Sequence, residues 1–382
     1  MKLISLLSLL LVFTFILSPV RISGSSEAAS GAFFESDGEF DYAAVMSEPK
    51  VSTGSAGVAL SEAQLKKMKL YPGGVPFGVK FMTEGLLVVG FCEVDARSGR
   101  TNPSSEAGLK IGDRIISANG KKLTSAAELS RIIESSGGKG VTLVYLRGAN
   151  EYKTTLTPSF SKSENCYKSG AYVKDNGAGI GTITYILPET LEFAGLGHGI
   201  CDGESGKLLP ISRGSVVNVG IDSVIKGISG TPGELRGHFK SGKCGTLLQN
   251  SDCGAFGVLS SLPSSLPSEP LPLGLRNELR EGKAYIYCTL DSGAPRRYEI
   301  EISNIDRTAG AGKCFTVKVC DRALIEKSGG IVQGMSGSPI IQNGKLVGAV
   351  THVLINDPTQ GYGIFIENML SASHNQVMPK AA

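Results

Sequence analysis

Glycine is spread through this chain at high density, and this feature constrains the fold more than any other. The chain has 50 glycines in 382 residues, about twice the usual share. They follow no Gly-x-y repeat, and they separate short runs of β-branched and aromatic residues. Strands joined by tight turns produce this pattern. The sequence therefore predicts a mainly β protein.

Length and charge narrow the class of protein further. A chain of 382 residues has room for about two or three domains of ordinary size. The net charge is only +3, and no run of lysine and arginine with interleaved aromatic residues occurs. Nucleic-acid binding would need such an electrostatic footprint. We therefore predict no nucleic-acid partner.

The N-terminus has the features of an export signal. Lys2 precedes an apolar segment at residues 3–20. Residues 1–21 therefore fit either a cleaved signal peptide or a membrane anchor, and the apolar helix would be about 27 Å long. Small residues at 28–31 are a candidate cleavage site, although they lie far from the apolar segment. The sequence predicts export and leaves cleavage or anchoring open, and residues 22–70 are predicted to be a polar linker.

The eight cysteines leave two interpretations open. Cysteines of exported proteins are commonly joined in disulfides. Here they are scattered, and none forms the Cys-x-x-Cys pair that is typical of zinc or redox sites. Buried free thiols are the alternative. The sequence predicts no metal ion and no cofactor.

Residues 71–158 predict a compact domain of their own. A strand at 85–91 is followed by an Asn119-Gly120 hairpin signal, a capping box from Ser125 to Glu128 that opens a helix, and a strand at 141–146. This order of elements resembles a PDZ domain, of the kind attached to exported bacterial proteases.

The resemblance implies a binding site for the C-terminus of a peptide. PDZ domains present the backbone N–H groups of one loop to the terminal carboxylate, while the peptide adds as a strand beside the helix. In this chain the matching donors would be Phe77, Gly78 and Val79. Two alternatives stay open. Residues 76–79 form only a turn into a strand, or the pocket holds a lipid or another part of the same chain.

Residues 159–370 predict a second β-rich region in two halves. Short strands punctuated by glycine stand on both sides of a connector at 261–273, where four prolines lie among serines and leucines. Segments rich in proline are stiff and extended. We therefore expect a pair of packed β-barrels, followed by a tail at residues 371–382.

A serine turn stands in the second of these halves. Ser336 is enclosed by glycines in Gly-Met-Ser-Gly-Ser-Pro, and a β-branched strand follows. This layout is typical of a nucleophile turn in a β-rich serine peptidase, although similar clusters are also ordinary tight turns. Ser338, directly before the proline, is interpreted as part of the strand entry. Ser336 is therefore the candidate nucleophile.

A serine hydroxyl needs a base that takes its proton. His198 follows an apolar run and lies between glycines, so it is the best candidate, and His352 is the second. His238 stands in a polar stretch and His374 in the tail, and neither has a strand-end setting. The alternative for His198 is a purely structural role.

The base in turn needs a third group that orients it. Several aspartates are available, and Asp321 is preferred because it ends a strand of alternating apolar residues. Cys201 is a weaker candidate nucleophile. A metal site formed by His198, Cys201 and Asp202 is a further alternative, but it lacks a second ligand pair at a recognisable spacing.

Four segments together carry a resemblance to one family. They are residues 197–202, 329–345, 348–353 and 356–363, which include the His198 and Ser336 turns. These segments closely resemble the stage IV sporulation protein B peptidases of endospore-forming bacteria. The similarity extends over about residues 71–370, including the PDZ part.

The resemblance implies a trypsin-like double β-barrel and assigns roles within it. Ser336 matches the nucleophile, His198 the base and Asp321 the orienting acid, while the N–H groups of Gly334 and Ser336 match the oxyanion hole. The place of Asp321 departs from the trypsin-like pattern. It lies only 15 residues before Ser336, whereas trypsin-like enzymes carry their aspartate in the region between the barrels.

The resemblance also implies a function. A member of this family is an exported serine endopeptidase that acts between the forespore and mother-cell membranes. It cleaves itself near its N-terminus and cleaves a partner of the stage IV sporulation protein FA type, which lets an intramembrane metalloprotease activate pro-sigma-K. The alternative is a PDZ adaptor whose peptidase-like body is inactive.

Overall fold

The computed structural model describes Val45 and residues 47–53, 60–201 and 208–373. The predicted signal or anchor at residues 1–21, most of the predicted linker, Asp202 and His374 lie outside the described residues. Within the described ranges, no helix is long and apolar enough to cross a membrane.

The described residues form mainly strands, as predicted. The helices are α1 (Glu62–Leu65), α2 (Pro103–Glu106), α3 (Ala126–Ser135), α4 (Arg322–Ser328) and α5 (Ile366–Ser373). The strands before and within the predicted PDZ range are β1 (Ser52–Thr53), β2 (Lys69–Pro72), β3 (Pro76–Phe91), β4 (Val94–Ala96), β5 (Gly99–Thr101), β6 (Arg114–Ala118), β7 (Lys121–Lys122), β8 (Val141–Arg147) and β9 (Asn150–Leu156). The next strands are β10 (Ser159–Ser161), β11 (Cys166–Lys168), β12 (Ala171–Ile186), β13 (Glu192–Gly195), β14 (Ile211–Ile225), β15 (Glu234–Ser251), β16 (Gly254–Leu259) and β17 (Leu271–Pro272). The last are β18 (Gly282–Cys288), β19 (Arg296–Ser303), β20 (Phe315–Val319), β21 (Pro339–Gln342), β22 (Lys345–Leu354) and β23 (Asp357–Phe365).

Six strands form the first barrel. They lie side by side in the order β3, β12, β13, β16, β15, β14, and β3 pairs with both β12 and β14, which closes the ring. Its interior is filled by large apolar side chains such as Phe77, Phe81, Phe193 and Leu247. The rings of Phe77 and Phe193 meet edge to face at 5.4 Å, a favourable geometry for an aromatic pair.

Six further strands form the second barrel. Their order is β18, β19, β20, β23, β22, β21, again a closed ring. When the strands of each barrel are numbered along the chain, both barrels have the same order, 1-2-3-6-5-4. The core contains Ile286, Phe315, Val317 and Ile364, each at most 1% exposed. The prediction of two packed barrels is confirmed.

A smaller unit is built on the second half of β3, with β6, β8, β9 and α3 around its own core. Asn119 and Gly120 have φ angles of 48° and 77° and join β6 to β7, as the hairpin signal predicts. Ser125 caps α3 by accepting from the N–H of Glu128. The Glu128 carboxylate accepts from Thr124 rather than from Ser125, so only half of the predicted capping box forms.

This PDZ-like unit is inserted into the first barrel, which differs from the predicted domain boundary at residue 71. Strand β2 pairs with β12, and β3 belongs to the barrel sheet from Pro76 to Thr83 before it continues into the PDZ-like sheet. The insertion therefore lies between the first two strands of the first barrel. One continuous strand shared by two sheets cannot be divided at a domain boundary.

The predicted carboxylate-binding loop is corrected by the same pairing. Phe77, Gly78 and Val79 lie within β3 and pair with β12 on one edge and with β14 on the other. Phe77 is 1% exposed and Val79 is 0% exposed. Because both edges of this strand are already paired and its side chains are buried, these residues are not placed to bind a peptide carboxylate.

The chain itself supplies the strand beside helix α3. Residues from Ala171 to Lys174 of β12 pair with the second half of β3. The next residue, Asp175, accepts a hydrogen bond of 2.6 Å from the backbone N–H of Ala126 at the start of α3. Strand β12 thus runs from the PDZ-like unit into the first barrel without interruption.

None of the eight cysteines forms a disulfide in the structure. Cys253, Cys288 and Cys314 are buried, and burial raises the pKa of the Cys253 thiol to about 11. These three positions fit the interpretation as buried thiols, which act as small apolar side chains.

Candidate active site

The Ser336 turn joins helix α4 to strand β21 of the second barrel. Gly334 and Gly337 on either side of Ser336 have φ angles of 93° and 95°, which L-residues with a side chain rarely adopt. The hydroxyl of Ser336 donates a hydrogen bond of 2.7 Å to the carbonyl oxygen of Thr351 on β22. The glycines therefore shape the turn, and Thr351 holds the serine side chain.

Two peptide N–H groups of the turn are left unpaired. The carbonyl of Gln333 accepts from the N–H of Leu235 at 2.9 Å, and the carbonyl of Met335 accepts from the N–H and hydroxyl of Ser338. Each bond fixes the peptide plane whose other side carries the N–H of Gly334 or of Ser336. In the described part of the chain, neither of these N–H groups donates to a protein acceptor. Both are therefore available to bind an oxyanion, and their role as the oxyanion hole stays a prediction of the family resemblance.

His198 reaches the same place from the first barrel. It follows β13 and is 8% exposed. Its Nδ1 lies 2.9 Å from the carbonyl oxygen of Gly199. A carbonyl can only accept, so this bond requires the proton on Nδ1 and leaves Nε2 as the acceptor. Burial lowers the pKa of His198, which keeps the ring neutral, the form that a general base requires.

Asn250 anchors the His198 loop, and nothing in its local sequence predicts this role. Its side-chain oxygen accepts from the N–H of Ile200 at 2.8 Å, and its side-chain nitrogen donates to the carbonyls of Ile200 and Leu209. Asn250 is fully buried. The loop after His198 is therefore tied to β15 by three buried hydrogen bonds.

His352, the second candidate base, lies beside His198. The two ring centroids are 4.9 Å apart, and the planes are inclined by 34°. Burial, followed by the nearby charges of His198 and Lys313, lowers the pKa of His352 to about 3. The two histidines that the sequence offered as rivals therefore form one neutral pair.

Thr351 is the point where the two barrels bring these groups together. A Cβ atom on Gly197, next to His198, would lie 2.9 Å from the methyl carbon of Thr351. The hydroxyl of Thr351 donates to the carbonyl oxygens of Gly312 and Tyr362, while its own carbonyl receives the Ser336 hydroxyl. Close packing at Thr351 thus places Ser336, His198 and His352 in one site.

Asp321 lies at the start of helix α4, where its side chain has a structural role. It is the N-cap of helix α4, where its Oδ1 accepts from the N–H groups of Ala323 and Leu324. Its Oδ2 accepts from the N–H of Glu299 at 3.3 Å. The hydrogen bonds among the described residues do not connect it to either histidine. The role of Asp321 as the acid stays a prediction.

The other candidate residues of the sequence analysis are Cys201, His238 and the members of a possible metal site. Cys201 lies on the His198 loop, and its thiol is 3.5 Å from the Gly199 carbonyl. His238 forms an exposed pair with Asp222 at 3.0 Å. No group of three or more His, Cys, Asp and Glu side chains within the described residues is arranged to hold a metal ion.

Two family models match this chain. The model of the SpoIVB peptidase S55 family matches residues 165–370, which is more than half of the chain. A PDZ domain model matches residues 102–147, within the inserted unit.

Curated relatives match over short stretches. A protein of Mesorhizobium japonicum whose name describes a zinc metalloprotease is 31% identical over 93 residues, 24% of this chain and 24% of that protein. A Clostridium acetobutylicum protein with the same kind of name is 28% identical over 103 residues, 27% of this chain and 29% of that protein. The chain therefore spans about a quarter of the length of these relatives.

Solved structures match at low identity. The PDZ domain of the SdrC-like protein of Listeria monocytogenes is 20% identical with a TM-score of 0.20 and covers 24% of this chain and 87% of that one. Rv3671c of M. tuberculosis, in the inactive form of a serine-to-alanine mutant, is 15% identical with a TM-score of 0.27 and covers 50% of this chain and 79% of that one. Human heparin binding protein is 14% identical with a TM-score of 0.25 and covers 50% and 78%.

Proposed function

This chain belongs to the SpoIVB peptidase S55 family, and we propose that it is a serine endopeptidase of sporulation with an inserted PDZ domain. The observation that carries the proposal is the meeting of Ser336 and His198 at Thr351, each supplied by a different barrel. The free N–H groups of Gly334 and Ser336 add the electrostatic part of such a site.

The proposed reaction begins with a rotation of the Ser336 side chain. In the resting arrangement the hydroxyl donates to the Thr351 carbonyl, and it must turn toward Nε2 of His198 to lose its proton. The serine oxygen then attacks the peptide carbonyl, and His198 returns the proton to the leaving amine. Water, activated by the same imidazole, hydrolyses the acyl-enzyme.

The oxyanion of each tetrahedral intermediate would be bound by the N–H groups of Gly334 and Ser336. Donors of this kind act where negative charge develops, and the loss of one typically costs about 3 kcal/mol of transition-state stabilisation. Neighbouring backbone bonds already aim both donors before substrate arrives, so little reorganisation is needed during the reaction.

Orientation of the base is proposed to come first from the Gly199 carbonyl. It holds Nδ1–H of His198, which selects the tautomer that leaves Nε2 ready to accept a proton. The family resemblance assigns Asp321 as the acid, whereas its hydrogen bonds support the N-cap of helix α4, and its substitution distinguishes the two roles.

Family membership also supports a place and a substrate for the protein. We propose that it is exported, tethered at the N-terminus before processing, and active between the forespore and mother-cell membranes. There it would cleave itself and a partner of the stage IV sporulation protein FA type, which triggers processing of pro-sigma-K. The PDZ unit would bind a protein partner or a peptide segment and guide it to Ser336.

A second candidate is a PDZ adaptor with an inactive peptidase-like body. It is favoured by one observation, the hydrogen bond that directs the Ser336 hydroxyl to Thr351 rather than to His198. An adaptor would keep this arrangement permanently, whereas the peptidase leaves it during each turnover.

The test is cleavage by the purified full-length protein. Self-processing and cleavage of a purified FA-type partner are followed by gel electrophoresis and mass spectrometry. We expect Ser336→Ala to abolish both. The matched control is Ser229→Ala, which removes an exposed hydroxyl bound to the Asn356 carbonyl and should leave both intact. Cleavage that persists in Ser336→Ala would disprove the peptidase assignment.

A further inference from the structure

One threonine of the first barrel is bonded to both ends of the nucleophile turn. Thr182 lies on β12 and is 2% exposed. Its N–H donates to the carbonyl of Ser336 at 3.0 Å, and its hydroxyl donates to the carbonyl of Gly334 at 2.7 Å. Gly334 and Ser336 are the two residues whose N–H groups are free.

We propose that Thr182 is a positioning residue that holds the oxyanion-binding turn of the second barrel from the first barrel. This inference rests on the proposed function, because it assigns Thr182 a task in the reaction of Ser336. Thr182 itself touches neither substrate nor the reacting atoms, and it acts through the peptide groups of Gly334 and Ser336.

The hydroxyl of Thr182 holds one side of the peptide plane between Gly334 and Met335. Gly334 has no side chain and a φ angle of 93°, so packing of its own does not fix the peptide plane that follows it. That plane leads to Met335 and then to the N–H of Ser336. The N–H of Met335, on the other side of this plane, donates to the carbonyl of Val332 at 3.1 Å. The plane is therefore held from both sides, and the Thr182 bond sets the direction of the Gly334 carbonyl. A tilt of this plane would move Met335 and with it the Ser336 donor.

The other carbonyls of the turn have other partners. Leu235 holds the carbonyl of Gln333, and Ser338 holds that of Met335. Thr184, two residues after Thr182 on β12 and fully buried, holds the carbonyl of Gly337 at 2.7 Å. The carbonyl of Gly334 depends on the Thr182 side chain, so removal of that one hydroxyl leaves a partly buried acceptor without its protein donor.

Valine tests this assignment because it keeps the shape of threonine and the backbone N–H while it removes the hydroxyl. The probe is a fluorophosphonate, which phosphonylates an activated serine and places its phosphonyl oxygen in the oxyanion hole. Rates at increasing probe concentration separate the maximal rate of labelling from the concentration that gives half of that rate. We expect Thr182→Val to lower the maximal rate at least about tenfold and to leave the half-saturating concentration unchanged.

A rescue and a control separate positioning from stability. Thr182→Ser keeps the hydroxyl and should label within about threefold of the wild-type rate. Thr154→Val removes a similar threonine-to-carbonyl bond, to Ala107 in the PDZ-like unit, and should label at the wild-type rate. If Thr182→Val does not fold, Thr182→Cys replaces it, because cysteine matches serine in shape and is a weak donor.

The outcomes are distinct for each claim. A wild-type chain that does not react with the probe contradicts the proposed function. A reactive wild type with Thr182→Val at the same maximal rate overturns the role of Thr182. A loss in Thr182→Val that serine does not rescue, or an equal loss in Thr154→Val, overturns it as well. If Thr182→Cys is used in place of Thr182→Val, equal labelling rates for Thr182→Cys and Thr182→Ser also overturn the role of Thr182.

Discussion

The two barrels have the same strand order but are assembled from the chain in different ways. The strands of the second barrel follow one another from Gly282 to Phe365. In the first barrel, strands β3 and β12 are separated by the inserted PDZ-like unit, yet they pair from Pro76 to Met82 as neighbouring strands of a ring. The first barrel supplies His198 and the second supplies Ser336.

This difference shows which parts of the two barrels tolerate changes in the chain and which do not. A hairpin accepts an insertion because its two ends stay close together in space. The contact between the barrels accepts no such change, because Thr182, Leu235 and Thr351 hold the His198 and Ser336 turns against each other. Strand β12 links the two features, since it runs from the PDZ-like sheet to the nucleophile turn.

The largest loss of labelling and stability is expected from a substitution at Gly337, where the two barrels touch. A Cβ atom there would overlap the carbonyl oxygen of Thr182 and the backbone nitrogen of Leu196 in the first barrel, and the φ angle of 95° adds strain. We expect Gly337→Ala to abolish probe labelling and to lower the free energy of unfolding by about 3 kcal/mol or more. Chemical denaturation measures the second effect.

Gly344 provides the control for that substitution. Its φ angle is 75°, and nothing lies within 4 Å of an added Cβ. Gly344→Ala should cost only the backbone strain, about 1 kcal/mol, with labelling retained. Equal losses in the two variants would contradict the importance of the contact between the barrels.

The next expected loss of stability compares a buried asparagine of the first barrel, Asn250, with a buried asparagine of helix α5, Asn368. Asn250→Leu leaves two backbone groups of Ile200 and the carbonyl of Leu209 without partners, so the free energy of unfolding should fall by about 3 kcal/mol. Because this loop carries His198, the labelling rate per folded molecule should fall too.

Asn368 in helix α5, which follows the last strand of the second barrel, is the matched residue. It holds the Ala309 carbonyl and the Cys314 sulfur and accepts from Arg276, and none of these partners belongs to the loop after His198. Asn368→Leu should lower stability, while folded molecules keep their labelling rate. A selective loss of labelling in Asn368→Leu, and none in Asn250→Leu, would reverse the roles given to the two asparagines.

A pH effect is expected from the histidine pair between the barrels. The pKa of His352 is lowered from 6.5 to about 3 in the folded chain, so the unfolded chain binds more protons between these values. Stability is therefore present above pH 6.5 and is lost as the pH falls toward 3, with a slope that approaches about 1.4 kcal/mol per pH unit. Denaturation at several pH values should show a smaller slope in His352→Gln. An unchanged slope would contradict the buried neutral pair.

The smallest effect concerns Asp321 at the start of α4. Asparagine also caps helices well, so Asp321→Asn should keep the wild-type stability and labelling rate. Asp321→Ala should lower the free energy of unfolding by about 1 kcal/mol. Thermal unfolding and probe labelling measure the two properties. A fall of about 10⁴-fold in the activity of a folded Asp321→Asn variant would instead identify Asp321 as the triad acid.

The parts of the site that the sequence predicts are those with local signals. Ser336 and His198 stand in glycine-flanked turns, and the Asn119-Gly120 hairpin and the Ser125 cap have their own residue patterns. An aspartate before a helical run is also an N-cap signal, so the cap at Asp321 could have been predicted from its neighbours.

The parts that the sequence does not predict depend on distant pairing. Nothing near Phe77 indicates that its partners are Gly181 and Asn218, about a hundred residues and more along the chain. The contact between the His198 and His352 rings and the anchors made by Asn250 and Thr182 likewise arise only when the barrels close. Local patterns carry no information about such contacts.

Locating the probe on the full-length protein tests whether the two barrels build one active site. A fluorophosphonate should label Ser336 alone, as identified by peptide mass spectrometry, and His198→Ala should abolish this label while the variant stays folded by circular dichroism. Label on another residue, or full labelling of Ser336 without His198, would contradict an active site assembled from the two barrels.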